Sequence, residues 1–175
     1  MAREPVSVGD VVVHTQADRD LAAGHWLLVS SEDADTALDG WRRAGHAALR
    51  CGGLFTTVSV PELVVHAAAG TARPESVAAF LRESVDGPVF FDSPSRRYHA
   101  LVPASTARVW PPLLDTVCTA HGDLVDVPAP GPARPGGCRV TWVVPMDGPG
   151  ALCSVHGVAA MVAAGHARLG GDDDG

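Results

Sequence analysis

Glycine and proline, 19 and 14 of 175 residues, cut the apolar part of this chain into short pieces, and this punctuation limits its fold more than any other feature. No stretch reaches the roughly 20 uninterrupted apolar residues that a bilayer-spanning helix needs, so no membrane partner is expected. What remains is a set of short strands and helices that must bury one another. With 46% apolar residues, 19% charged residues and four tryptophans, the chain has the material for a core, and wholesale disorder is excluded. A chain of 18.1 kDa buries about two thirds of its unfolded surface around one core. Residues 1–169 are read as a single domain, without repeat or dividing linker. Residues 170–175, Gly-Gly-Asp-Asp-Asp-Gly, are read as an acidic disordered tail.

Apolar runs bounded by turn residues predict strands at Val11 to Val13, His25 to Ser30, His46 to Leu49, Leu54 to Val60, Val89 to Asp92, Tyr98 to Val102, Leu113 to Thr119, Leu124 to Val127 and Arg139 to Val144. The first two are expected to open the sheet. Helical spacing predicts helices from an N-cap at Ser31 through Trp41 to Gly45, from Pro61-Glu62 to Gly70, from Pro74 to Asp86-Gly87, and from Ala151 to His166. Trp41 falls on the inner face of the first long helix. The Pro/Gly tract 128–137 reads as a loop. The class is α+β, a mixed β-sheet with flanking helices.

All 13 basic residues are arginine; lysine, isoleucine and asparagine are absent, a composition of a GC-rich bacterium. Without lysine there is no Gly-Lys-Ser/Thr ending, so the P-loop class is excluded. The net charge of −7 gives no long-range field for polyanions, and any nucleic-acid contact must be local. The opening Met1-Ala-Arg-Glu-Pro-Val6 lacks the apolar core of a secretory signal, and four scattered cysteines suit free thiols, so a cytoplasmic location is expected. Cys118-x-x-His121 and Cys153-x-x-His156 total four zinc-type ligands, but neither lies in a tight knuckle, and zinc is not expected.

The densest positive charge lies in Ser93-Pro-Ser-Arg-Arg97, followed by Tyr98 and His99. The Arg96 and Arg97 guanidinium forks, the His99 imidazole and the Ser93 and Ser95 hydroxyls all suit phosphate oxygens. The competing reading is an ordinary solvated turn. In Leu113-Leu-Asp-Thr-Val117, an alternating strand places Asp115 on one face with Leu113 and Val117, where a carboxylate needs a partner. Tyr98 is expected to pack on the sheet; Asp123 and Asp126 are expected in a loop and on a solvent face.

Taken in order and spacing, Phe55-Thr-Thr-Val-Ser-Val-Pro-Glu62, Ser93-Pro-Ser-Arg-Arg-Tyr-His99, Leu114-Asp115 and Val125-Asp-Val-Pro-Ala-Pro130 resemble the bifunctional DNA primase/polymerase N-terminal (prim-pol) domain, over about Asp35 to Val144. The resemblance implies an RNA-recognition-like core that transfers nucleotides with divalent metal, magnesium or manganese. It makes His99 and Asp115 the catalytic pair, with Asp115 a metal ligand. Ser93, Ser95, Arg96, Arg97 and His99 become the nucleotide-binding element. The first motif departs from the family: Ser59 and Pro61 stand where its two acids belong, and neither offers a carboxylate to a hard cation. Losing these ligands removes the charge neutralisation that nucleotidyl transfer needs. The expectation is therefore a divergent, catalytically impaired relative that binds nucleotide or single-stranded nucleic acid in a replication-related role with replication proteins in trans. Two alternatives stand beside it: an active primase/polymerase using Glu62 or another acid, and a module for protein contacts alone.

Overall fold

The computed structural model describes residues 7, 8, 11, 12, 14–113, 115–132 and 137–171. A short antiparallel pair, β1 (Ser7–Val8) and β2 (Val11–Val12), precedes helices α1 (Gln16–Leu28) and α2 (Ala34–Ala44). Strands β3 (His46–Arg50) and β4 (Phe55–Pro61) lead into α3 (Glu62–Ala69) and α4 (Pro74–Val85). Then come β5 (Val89–Asp92), β6 (Arg97–Pro103), a 3₁₀ turn (Ala104–Arg108), β7 (Val117–Cys118), β8 (Leu124–Pro128), β9 (Val140–Val144) and α5 (Val155–Gly171). The chain is α+β, as its element pattern predicts.

The main sheet has the order β7-β4-β6-β5-β9, and each neighbouring pair is antiparallel. Strands β4 and β5 therefore run parallel, with β6 between them and α3 and α4 as their connection. This is a split β-α-β unit. Strands β3 and β8 form a separate antiparallel pair.

Alternation along the strands divides the core in two. On one face Val58, Val60, Val89, Ala100 and Val102 pack against Val64 and Val65 of α3, Leu81 of α4 and Val158 and Val162 of α5. Helix α5 lies close because it carries glycine where it crosses its neighbours. A Cβ at Gly165 would sit 2.3 Å from the Val64 carbonyl oxygen, and one at Gly157 would sit 2.4 Å from that of Ser84. On the opposite face Phe55, Phe90 and Leu101 pack with Leu27 of α1, Trp41 of α2, Leu49 of β3 and Val127 of β8. Trp41 is 7% exposed and its Nε1 donates to the Val127 carbonyl at 3.1 Å, so it does lie on an inner face.

Several local expectations are overturned, among them that the strand at Val11 opens the sheet, since β2 pairs only with β1. His25 to Ser30 is no strand: through Leu28 it is the last turn of α1, which starts from a capping box between Thr15 and Asp18. Ala23, Gly24 and Leu27 form its buried stripe, and a short apolar run alone cannot separate such a turn from a strand. The N-cap of α2 is Asp33, which accepts from Thr36 N at 2.9 Å; Ser31 instead donates its hydroxyl to the Leu28 carbonyl at 2.6 Å. The strand expected over Leu113 to Thr119 shrinks to Val117–Cys118, because the chain turns at Asp115, whose φ is 60°. Thr116 N donates back to the Leu113 carbonyl across this turn, and aspartate tolerates the left-handed conformation.

The last helix begins later than Ala151 and continues through Gly170 and Gly171, two residues assigned to the acidic tail. The rest of that tail, the opening residues 1–6, Val13, Leu114 and residues 133–136 of the Pro/Gly tract lie outside the described residues. Among the described residues no helix is long and apolar enough to cross a membrane.

Candidate functional site

The face of the main sheet turned away from α3, α4 and α5 is apolar at Phe55, Leu101 and Phe90 and becomes polar toward the 93–96 turn. The register explains why. Ser59 of β4 is paired with His99 of β6, and His99 is paired with Phe90 of β5. One step nearer the turn, Pro61 is paired with Arg97, and Arg97 with Asp92. Directly paired residues point to the same side, so Ser59, Pro61, Asp92, Arg97 and His99 share one strip.

Arg97 binds this strip together. Its Nε donates to Ser59 Oγ at 2.5 Å, and its Nη2 donates to the Ser59 carbonyl at 3.1 Å and to the Asp115 carbonyl. Ser59, His99 and the Asp115 turn thus meet at one end of one sheet face, where the resemblance puts three motif positions. Asp115 arrives there differently from expectation. It does not stand on a strand among apolar neighbours; it occupies a turn with its residue exposed, and its carbonyl oxygen makes the contact.

His99 is the electrostatic oddity. Its ring lies flat on Phe90, 4.8 Å between centroids and 5° between planes. Both ring nitrogens are shielded from solvent and lack a hydrogen-bond partner. Burial drives its pKa down to about 4, against the pull of Asp92 and aided by Arg97, so the imidazole is neutral at pH 7. Asp92 accepts from Ser95 Oγ at 2.6 Å, while its other oxygen lies 3.6 Å from Arg139 Nε. Arg139 also reaches within 3.4 Å of Asp126, and so spans two carboxylates at the rim. Sequence reading did not assign Asp92, Asp126 and Arg139 to the site, because only the strand register and the β8–β9 arrangement bring them to it.

The expected phosphate loop is only partly available. Arg96 has a left-handed φ of 53° and turns its guanidinium to Glu62, behind the sheet. Arg97 is committed to Ser59 and Asp115, and Ser95 to Asp92; Ser93 is exposed. Glu62, the acid that the active-enzyme alternative uses in place of the missing ligands, opens α3 and is ion-paired with Arg96, with His66 4.0 Å away. It lines a cavity with Tyr98, on the other side of the sheet from Ser59.

Among the described residues no three His, Cys, Asp or Glu side chains gather as a metal ligand set. His121 Nδ1 is 3.2 Å from the Gly52 carbonyl, and the Cys153 Sγ donates to the Pro88 carbonyl at 3.2 Å. Burial pushes the Cys153 thiol up to about 12 and the Cys51 thiol up to about 11, far from the thiolate that metal binding or nucleophilic attack requires. No family model matches the chain, and no curated protein or solved structure matches it.

Proposed function

We propose that this chain is a prim-pol-like binding module, impaired in nucleotidyl transfer, that holds a nucleotide or a single-stranded nucleic-acid end on the polar strip of its main sheet. The observation that carries this reading is the convergence of Ser59, His99 and the Asp115 turn, bound together by Arg97. The split β-α-β unit supports it, because an RNA-recognition-like core is built from such units. The unpartnered His99 nitrogens support it as well, since a buried polar atom without a partner calls for a ligand or water.

The chemistry divides between the residues present. Arg139, which is half exposed, and Nη1 of Arg97, which takes no part in the contacts to Ser59 and Asp115, offer charge to phosphate oxygens. Neutral His99 offers one donor and one acceptor to a base or sugar edge. Magnesium or manganese would find the exposed Asp115 carboxylate but not the two acids that Ser59 and Pro61 replace, so strand synthesis is not expected.

Calorimetric titration of the full chain with a nucleoside triphosphate and with a short oligo-dT tests the reading. Weak binding that falls with added salt is expected, and His99→Phe should abolish it at pH 7 without lowering the melting temperature. Absence of binding at low salt, or binding indifferent to His99→Phe, overturns it. Template-dependent extension of a primer by the unmodified chain would overturn the impaired-catalysis part alone.

A further inference from the structure

Behind the same strands, on the helix side of the sheet, a cavity of about 460 Å³ opens between α3, the first turn of α4 and the β6-β5-β9 surface. This volume is in the range of sites for small organic ligands. Its wall is aromatic and apolar where Phe91, Tyr98 and Val143 line it, and the Phe91 and Tyr98 rings lie 4.8 Å apart. Its polar groups converge from one side. Glu62, with a side chain only 15% exposed, lies 4.0 Å from His66 Nε2, which is 3.1 Å from the Tyr98 hydroxyl. Glu75, in the first turn of α4, stands at the rim.

We propose that this cavity binds a small organic cation, an amine or amidine carried on an apolar or aromatic body. The two carboxylates can only accept hydrogen bonds, which selects donors. Phe91 and Tyr98 line it with aromatic surface, which suits a cation and its apolar body alike. Among the lining residues there is no arginine, so a phosphate or carboxylate entering the cavity would face Glu62 and Glu75, with the Arg96 guanidinium that pairs with Glu62 lying outside the lining. The chain itself places a guanidinium on Glu62: Arg96 reaches it from the 93–96 turn, with a side chain 73% exposed. That arginine occupies Glu62 from outside and competes with a ligand for it. Burial and the Glu62 charge push the Tyr98 phenol up to about 12, so it remains a hydrogen-bond donor throughout the neutral range. This site lies on the opposite face from the polar strip and does not depend on the nucleotide reading.

Tyr98 is the chain's single tyrosine, so its ring resonances report on this cavity alone. Titration of the full-length protein with benzamidine and with benzyl alcohol, followed through tyrosine ring-labelled NMR spectra, tests the proposal. Benzamidine should give a saturating shift, with benzyl alcohol at least about tenfold weaker, the worth of one charge-assisted hydrogen bond. Glu62→Gln should weaken benzamidine by about tenfold, and Arg96→Ala should tighten it by removing the competing guanidinium. Equal affinity for alcohol and amidine, an unsaturable shift, or tighter binding in Glu62→Gln overturns the proposal. So does weaker binding in Arg96→Ala, which would make that arginine a support of the site. Nucleotide titration of Glu62→Gln should be unchanged, which separates a failure here from a failure of the nucleotide reading.

Discussion

The His99 ring is stacked on Phe90 at 4.8 Å with both of its nitrogens shielded from water and unpaired. That arrangement links protonation to unfolding. In the unfolded chain a histidine titrates near 6.5, whereas burial holds folded His99 at about 4. Between these values the unfolded state binds the proton and the native state does not, so stability falls as pH is lowered through that window and is fully present above it. Wild type should lose about 2 kcal/mol more than His99→Phe between pH 7 and pH 5, because phenylalanine keeps the stack and removes the titration. Urea midpoints of the two proteins at the two pH values measure it. Parallel loss in both would mean that His99 is not the group responsible.

Arg97 gives a second expectation, since it joins β4, β6 and the turn before β7. Arg97→Ala leaves Ser59 Oγ and two carbonyl oxygens without their donor, at a cost of about 1 to 3 kcal/mol. The loss should be local. Amide exchange should rise at Thr119, which donates to the Thr57 carbonyl, and at Val117 and Cys118 of the short β7, while β5 and β9 stay protected. Arg97→Lys should behave nearly as badly, because an ammonium cannot reproduce the forked contact. Uniform exchange across the sheet would contradict the role assigned to the guanidinium.

Much of this arrangement is legible before any coordinates. Pro61-Glu62 and Gly70 bracket α3, Pro74 starts α4, and β-forming residues between turn signals mark β4, β5 and β6. In each case local chemistry and tertiary packing agree. His25 to Ser30 misleads because its apolar residues belong to a helix whose start signal, Thr15 with Asp18, lies ten residues upstream. Asp115 misleads because alternation in a five-residue window cannot reveal a left-handed turn. The Arg139 bridge between Asp92 and Asp126 is invisible in the sequence for a different reason: the β5–β9 register sets Arg139 beside Asp92, and Asp126 comes to it from β8, which belongs to the separate pair with β3.

Core weight should fall on the sheet face that carries Phe55 and Phe90. Trp41→Ala should cost about 3 to 5 kcal/mol, since it removes a nearly buried indole and its hydrogen bond to Val127. Arg43→Ala, on the exposed face of the same helix with only an i,i+4 pair to Asp39, should stay within about 0.5 kcal/mol. Thermal melts of the two variants distinguish them. Comparable losses would mean that α2 is not held through its tryptophan.

Glycines of α5 offer a test of sign. Helix interiors ordinarily gain from Gly→Ala by up to about 1 kcal/mol, because glycine loses more backbone entropy on folding. At Gly170 a new Cβ meets nothing within 4 Å, so Gly170→Ala should be neutral or stabilising by a few tenths of a kcal/mol near the helix end. At Gly165 the same methyl would be driven to 2.3 Å from the backbone oxygen of Val64, which no side-chain rotation relieves. Helix α5 would have to move off α3, opening the apolar seam around Val64, Val65, Val158 and Val162. Gly165→Ala should therefore destabilise by about 1 to 3 kcal/mol despite its better helix propensity, with Gly157→Ala close behind against the Ser84 carbonyl. Calorimetric melts of the three single variants should separate Gly170→Ala from the other two by several degrees, and a gain at Gly165 would show that α5 does not rest on α3 by direct backbone approach.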